Sequence, residues 1–443
     1  MVFFRNVLGT FATEIFTVAF NLLLGVLTAR LLGPERRGVL TLVMTLAITL
    51  VYFADLGISK ANIYLIGRRK RSEAAVAANS AFIALIAGAV VSLALWLARD
   101  LLLNTLLRGL PARYLTVILL LTPLLLLYTY WMAILRARQN FIVFNFLRLL
   151  MPVSLLGCMG SALLIFRGGI GWAVVAYGVG AFLAAGAGLL VIGRIVRFRP
   201  AFDWPLAQES LVYGVKSYLQ NLVGHLAYRL DVYIVALFLS PRDVAFYGIA
   251  TSIAELSWYI PNSVGVVLFP KLSNEPEERI HPLTAEVCRH TLIITFLATG
   301  AVVLAGVVGI PLLYGADYAP AVAPLVALGP GVVAMGLYKV LTRNFSSRNR
   351  QQVSVLIAVA GLALNVALDA LLIPRLAIAG AALASSCAYS VMGVALLFAF
   401  RRESALSWSE ILRPRQTDLV RYTDAGQQIW SALRRKRNHR SEQ

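Results

Sequence analysis

The chain has 443 residues, of which 59% are hydrophobic and 14% charged, and it carries a net charge of +19. No soluble globular domain needs so much apolar residue, so the composition excludes one and points to a membrane protein. The basic excess must sit in loops, a tail or a cavity, where it meets anionic lipid or an anionic ligand.

With about 20 apolar residues taken as the length that crosses a bilayer, twelve spans are predicted. They run over 7–30, 39–66, 76–98, 114–135, 143–166, 170–193, 210–239, 243–270, 287–314, 318–342, 352–373 and 377–400. The first run follows Arg5 and is too long for a signal-peptide core, so it reads as the first membrane helix. Pro123, Pro152, Pro261, Pro324 and Pro330 lie inside spans, where they mark kinks beside a pathway. If the N-terminus is cytoplasmic, 26 Lys and Arg fall on that side and 9 opposite. The bias remains 16 to 9 without the tail, which predicts both termini inside.

The chain also repeats. Leu32-Gly33-Pro34-Glu35 matches Leu239-Ser240-Pro241-Arg242 at an offset of 207, and the stretch 164–171 matches 372–379 at 208. Six spans per half is an even number, so the halves insert with one orientation. This predicts residues 1–200 and 201–402 as two six-helix bundles related by an axis along the membrane normal, with the path between them. Residues 403–443 are polar and basic. They read as a cytoplasmic tail in which Leu419, Tyr422, Ile429, Trp430 and Leu433 would give an interfacial helix one apolar face.

Several spans carry charge, although a charge at the bilayer centre costs roughly 2.5–3.5 kcal/mol on insertion scales. In span seven, at 100° per residue, Lys216, Gln220 and Asp231 fall within about 60°, and Asn221, His225 and Arg229 within about 80°. The joint arc is wide. Either part of the helix faces a cavity and part a neighbouring helix, or the helix breaks. Span one carries Glu14 and Asn21 on one face. The carboxylate there either binds a coupling proton or Na⁺, or pairs with Lys or Arg in the opposite half. Asp55 in span two and Glu255 in span eight head polar faces, and Asn365 with Asp369 are spaced i, i+4 in span eleven. Arg148 opens span five, and Lys339 lies near the end of span ten. Arginine binds phosphate bidentately and stays charged, so a cavity of Lys216, Arg229, Lys339 and Arg148 suits a pyrophosphate. The remaining polar candidates for lining or coupling are Glu14, Asn21, Asp55, His225, Asp231, Glu255 and Asp369.

Enzyme motifs are absent. The sequence holds no phosphate loop, no HExxH, no GxSxG and no triad, so no catalytic residue is assigned. Cys158, Cys288 and Cys387 form no CxxC pair and the four histidines are scattered, so neither metal nor cofactor is expected.

Ala29-Arg30-Leu31-Leu32-Gly33-Pro34-Glu35-Arg36-Arg37-Gly38 followed by Phe53-Ala54-Asp55-Leu56-Gly57-Ile58 resembles the opening of polysaccharide-type flippases of the multidrug/oligosaccharidyl-lipid/polysaccharide exporter superfamily. Tyr247-Gly248-Ile249-Ala250 through Phe269-Pro270-Lys271-Leu272-Ser273 resembles the second-half counterpart. Leu364-Asn365 through Ile373-Pro374 and Ile378-Ala379-Gly380-Ala381-Ala382 resembles the eleventh-to-twelfth span signature. The resemblance covers roughly residues 1–400. It implies an all-α, V-shaped alternating-access carrier in the bacterial cytoplasmic membrane. The implied cargo is an undecaprenyl-pyrophosphate oligosaccharide, flipped for O-antigen, capsule or exopolysaccharide assembly. The implied partners are that cargo, membrane lipids and polysaccharide polymerase or assembly proteins, with no nucleic acid. Lipid II flippases of the superfamily carry extra C-terminal helices and several arginines in the first two spans. Here Arg30 alone occupies the first span, at its end, which counts against that cargo. An organic-cation antiporter would need an anionic cavity, and a scaffold would tolerate neutralisation of every buried charge.

Overall fold

The computed structural model describes residues 2–196 and 201–413, with the backbone alone for 2–8, 216 and 217. Fourteen α-helices follow in chain order: α1 (Val2–Ala54), α2 (Ile58–Gly67), α3 (Glu73–Leu97), α4 (Arg99–Asn104), α5 (Ala112–Ala137), α6 (Phe141–Gly160), α7 (Ile170–Val196), α8 (Trp204–Phe238), α9 (Pro241–Ala254), α10 (Tyr259–Asn274), α11 (Glu277–Gly309), α12 (Val322–Ser347), α13 (Gln351–Ser404) and α14 (Trp408–Leu412). Short π-helical segments, Ser161–Ile165 and Ile310–Tyr314, close α6 and α11. Among the described residues the fold is all helical.

Eight helical segments are long and apolar enough to cross a membrane, and the chain is a multi-pass membrane protein. Two of the eight each cover a pair of predicted spans. In α1 the backbone breaks at Gly33 (φ 73°, ψ 168°), a conformation only glycine adopts cheaply, and Pro34 restarts the helix. In α13 the break is at Ala377 (φ 50°, ψ −136°), just after Pro374. The predicted seventh and eighth spans coincide with α8 and with α9–α10, which are not among the eight. The second span ends earlier than predicted. Leu56 (φ 49°) and Gly57 (φ 76°) turn the chain and set α2 apart.

The sequence repeat has a backbone counterpart. Where the first half breaks at Gly33-Pro34, the second leaves α8 through extended Leu239 and enters α9 at Pro241. There the Asp243 carboxylate accepts from the Ser240 hydroxyl (2.7 Å) and backbone N–H (3.2 Å), which caps α9. Gln139 (φ 57°) and Asn349 (φ 58°), at an offset of 210, end α5 and α12 with the same left-handed turn.

By contact the chain resolves into two compact units. The first comprises Met1–Ile253, Leu304–Leu328 and Ala358–Ser385; the second comprises Ala254–Val303, Gly329–Ile357 and Ser386–Gln443. In the first, a buried core of Leu40, Val43, Leu50, Tyr114, Ile118, Met159 and Tyr177 joins α1, α5, α6 and α7. Helix α8 lies along this bundle. A Cβ on Gly214 would stand 2.6 Å from the Leu56 carbonyl, and one on Gly57 would stand 2.1 Å from the Gly214 carbonyl. Two facing glycines therefore let the backbones touch, the usual solution where membrane helices pack closely. In the second unit, the Trp258 indole N–H donates to the Val332 carbonyl (3.0 Å), and its ring meets Tyr389 edge-on. Tyr338 reaches Ser354 O (2.8 Å), and Asn344 reaches Thr284 (2.8 Å).

Candidate functional site

Helix α8 runs unbroken, so span seven divides its polar residues between two faces. One face lies on α1. His225 is buried, its Nε2 pairs with Thr49 Oγ1 at 2.8 Å, and its ring stacks on Tyr52 with centroids 4.1 Å apart. Tyr233 donates to the same Thr49 hydroxyl (2.8 Å), and Tyr218 donates to Phe53 O (2.9 Å). This seam fixes His225 as a packing residue beside a cationic neighbour.

That neighbour is Arg229. It is half-buried and within electrostatic reach of Tyr52, His225 and Tyr233. Tyr52 also lies within reach of Arg136, which in turn feels Arg148. Two guanidiniums, from α5 and α8, thus reach Tyr52, and a third, from α6, reaches Arg136. Arg148 is ion-paired with Glu14 of α1, and both side chains are 30% exposed. Glu14 therefore pairs, but with Arg148 of its own half and not with a cation of the opposite half as expected. Asn21, on the same face, is exposed. Asp55 is buried and caps α2, accepting from Ser59 N (3.2 Å) and Ser59 Oγ (3.0 Å). It is therefore spent on local structure. The Lys216 side chain lies outside the described residues.

The other face of α8 builds a second polar centre. Asp231 is buried, and its Oδ2 accepts from the Tyr247 hydroxyl of α9 and from Ser385 Oγ (3.3 Å) of α13. Its Oδ1 takes Val232 N at 2.8 Å. Asn365 Nδ2 donates to the same Ser385 hydroxyl at 3.3 Å. One helical turn on, Asp369 is 0% exposed, and neither of its carboxylate oxygens has a hydrogen-bond partner among the described residues. Two buried carboxylates, an amide and two hydroxyls thus meet here, with Asp231 within electrostatic reach of Asp369. Among the described residues there is no cluster of three or more His, Cys, Asp or Glu that would hold a metal.

Lys339 and Glu255 belong to the second unit. The Lys339 ammonium sits 4.7 Å from the centre of the Trp258 ring, with the Glu255 and Arg343 charges in reach. Glu255 opens the tight turn Glu255–Trp258 that separates α9 from α10.

Arg136, Tyr247 and Ser385 are absent from the sequence-based candidates. Arg136 occupies the last turn of a span, where a charge reads as loop. Ser385 lies in an Ala-Ser-Ser run with no charge to mark it. The i, i+4 pair Asn365 and Asp369 was the available signal for that centre.

A family model described as polysaccharide biosynthesis protein matches residues 27–323. The probable low-salt glycan biosynthesis flippase Agl15 of Haloferax volcanii is 22% identical over 191 residues, 42% of this chain and 40% of that protein. The match spans about two fifths of that relative's length. Among solved structures, a lipid II flippase MurJ in an inward closed conformation aligns over 91% of this chain and 90% of its own, at 16% identity and a TM-score of 0.72. An inward-facing multidrug resistance MATE family transporter of the MOP superfamily aligns over 88% and 94%, at 17% identity and a TM-score of 0.75. These likenesses show the fold: the chain has the fold of these flippases and transporters.

Proposed function

This chain belongs to the polysaccharide biosynthesis protein family, and from that premise we propose that it is a flippase for a lipid-linked oligosaccharide, carried on an undecaprenyl pyrophosphate. The observation that carries the reading is a run of three guanidiniums in one unit: Arg229 and Arg136 lie within electrostatic reach of Tyr52, and Arg148 lies within reach of Arg136. A pyrophosphate offers more charge and more acceptor oxygens than one carboxylate. It displaces Glu14 from Arg148 and draws in the other two guanidiniums, each bidentate where geometry allows. Tyr52 and Tyr218 stack on sugar rings, and the lipid tail stays in the bilayer.

Residues 1–200 and 201–402 act as the two pseudo-symmetric bundles of an alternating-access carrier, in a bacterial cytoplasmic membrane with both termini inside. Lys216 and Lys339 add positive charge along the path. The Asp231–Asp369 centre is the coupling site: a proton or small monovalent cation settles there and releases as the bundles move. An assembly complex with a polysaccharide polymerase receives the cargo on the far side. Of the carboxylates an organic-cation antiporter would use, Glu14 is engaged by Arg148 and Asp55 by Ser59.

The test is binding. Purified wild type and an Arg148→Ala/Arg229→Ala variant are titrated with a polyprenyl-pyrophosphate oligosaccharide and with the dephosphorylated polyprenol. The reading expects at least tenfold weaker binding of the pyrophosphate by the variant and little binding of the polyprenol by either. Equal affinities for the pyrophosphate remove these arginines from the site.

A further inference from the structure

At the end of α13 a cavity of ≈ 930 Å³ is lined by Arg350, Arg401, Arg402 and Glu403, with Phe398 and Leu406 among its apolar walls. Its construction is specific. Ala405 adopts a left-handed conformation (φ 55°) that ends α13 and folds α14 back. Trp408 of α14 then packs edge-on against Phe398 (4.8 Å) and lies 4.6 Å under the Arg401 guanidinium. Ile411 is fully buried, and Arg289 donates to the Glu410 carbonyl, so α14 is docked.

The acids near the cavity are already committed. The Glu410 carboxylate closes a capping box on Ser407, accepting from its N–H (2.9 Å) and hydroxyl (2.8 Å). Glu403 faces two arginines, Arg348 at 2.6 Å and Arg350 at 2.8 Å. Arg401 and Arg402 have no carboxylate partner among the described residues. Three arginines against one carboxylate leave the cavity strongly positive. The tail beyond residue 413 carries Arg434, Arg435, Lys436 and Arg437 as well as Asp418, Asp424 and Glu442, and it lies outside the described residues.

An apolar track leads into this cavity. Val391, Val394 and Phe398 are 49%, 49% and 55% exposed, at a spacing that puts them on one side of α13. In a chain that spans a membrane, such a stripe faces lipid. A free phosphate has no use for it, whereas a phospholipid lays an acyl chain along it and sets its phosphate among the guanidiniums. Basic pockets beside membrane helices are known to take anionic headgroups, and an indole at this depth suits the interface.

We propose that Arg350, Arg401 and Arg402, with Trp408 as the interfacial anchor, form a binding site for the phosphate headgroup of an anionic phospholipid. The site holds one lipid in the leaflet at the end of α13, the cytoplasmic one by the topology proposed above. It is independent of the arginines around Tyr52.

The experiment is native mass spectrometry of the full chain, titrated with cardiolipin, phosphatidylglycerol and phosphatidylcholine. An Arg350→Ala/Arg401→Ala/Arg402→Ala variant is expected to bind the two anionic lipids at least tenfold more weakly, with phosphatidylcholine adducts unchanged. Arg401→Lys/Arg402→Lys should retain most of the affinity. If the triple variant elutes as aggregate, Arg402→Gln replaces it, with an expected loss of about threefold, the equivalent of one weakened charge contact. Unchanged binding in these variants overturns the proposal. So does binding that survives them and disappears when Arg434, Arg435, Lys436 and Arg437 are replaced by Gln. Millimolar inorganic phosphate that displaces the lipid completely would show a free-anion site and also overturn it. Polyprenyl pyrophosphate separates this site from the cargo path: its binding should survive the triple variant, and its loss there would overturn the assignment to phospholipid.

Discussion

Arg30 holds Leu313. Its Nε donates to the Leu313 carbonyl and its Nη2 to the neighbouring Leu312 carbonyl, each at 2.6 Å. The acceptors lie in the π-helical segment Ile310–Tyr314, where helix-end carbonyls lack intrahelical partners and welcome a cation. Tyr318 adds a bond from its hydroxyl to Ala29 O at 2.9 Å. Nearby, a Cβ on Gly248 would stand 2.8 Å from Thr41 Cγ2. These contacts tie α1 to second-half segments within one unit, and in the proposed cycle they must break for the carrier to open on that side. In a background with the three native cysteines changed to Ala, Arg30→Ala should therefore raise maleimide labelling of Thr41→Cys at least twofold. Unchanged labelling would show that the bonds do not restrain opening.

Asp369 is buried with two oxygens unpartnered among the described residues, a costly arrangement unless something else occupies the site. Asp369→Asn should stabilise the protein by about 1–3 kcal/mol only at a pH where Asp369 is ionised, because the variant cannot form that buried unpaired charge. The same variant should lose any dependence of transport on Na⁺ or on pH. Differential scanning fluorimetry with and without Na⁺, paired with transport, checks both parts. A destabilised variant with an intact ion response would separate Asp369 from coupling.

The Glu14–Arg148 pair is 30% exposed on each side, so it contributes at most about 1 kcal/mol to stability. Glu14→Gln should leave the thermal midpoint nearly unchanged. It frees Arg148 permanently, so pyrophosphate cargo should bind severalfold tighter and leave more slowly, lowering turnover. Equilibrium binding and transport rate measured together decide this. Weaker cargo binding in Glu14→Gln would place Glu14 on the cargo side of the site.

Gly214 meets the Leu56–Gly57 turn with no room for a side chain. Gly214→Leu should cost about 2–3 kcal/mol through overpacking against backbone, which cannot move aside as a side chain can. The thermal midpoint in detergent measures it, with Gly224→Leu as the control, because nothing lies within 4 Å of a Cβ built there.

Much of this architecture is written in hydropathy and punctuation. The Leu-Gly-Pro and Leu-Ser-Pro stretches mark real breaks because glycine or an extended residue must precede a proline that restarts a helix. Glu14 and Arg148 are both visible as charges in apolar runs, yet only the fold says that they pair. The Asp231 centre was half legible. Its two aspartates stand out in sequence, but Tyr247 and Ser385 become ligands only through helix packing. Arg136 was hidden because topology counting assigns a span-end arginine to the loop, whereas the helix runs on to Ala137 and keeps Arg136 within electrostatic reach of Arg148.

The central claim is cargo identity, and transport in proteoliposomes tests it most directly. A fluorescent polyprenyl-pyrophosphate oligosaccharide and a lipophilic organic cation are offered separately to wild type and to Arg148→Ala/Arg229→Ala. The account predicts movement of the first alone, reduced at least tenfold in the variant. Movement of the organic cation alone, unaffected by loss of the two arginines, would contradict it.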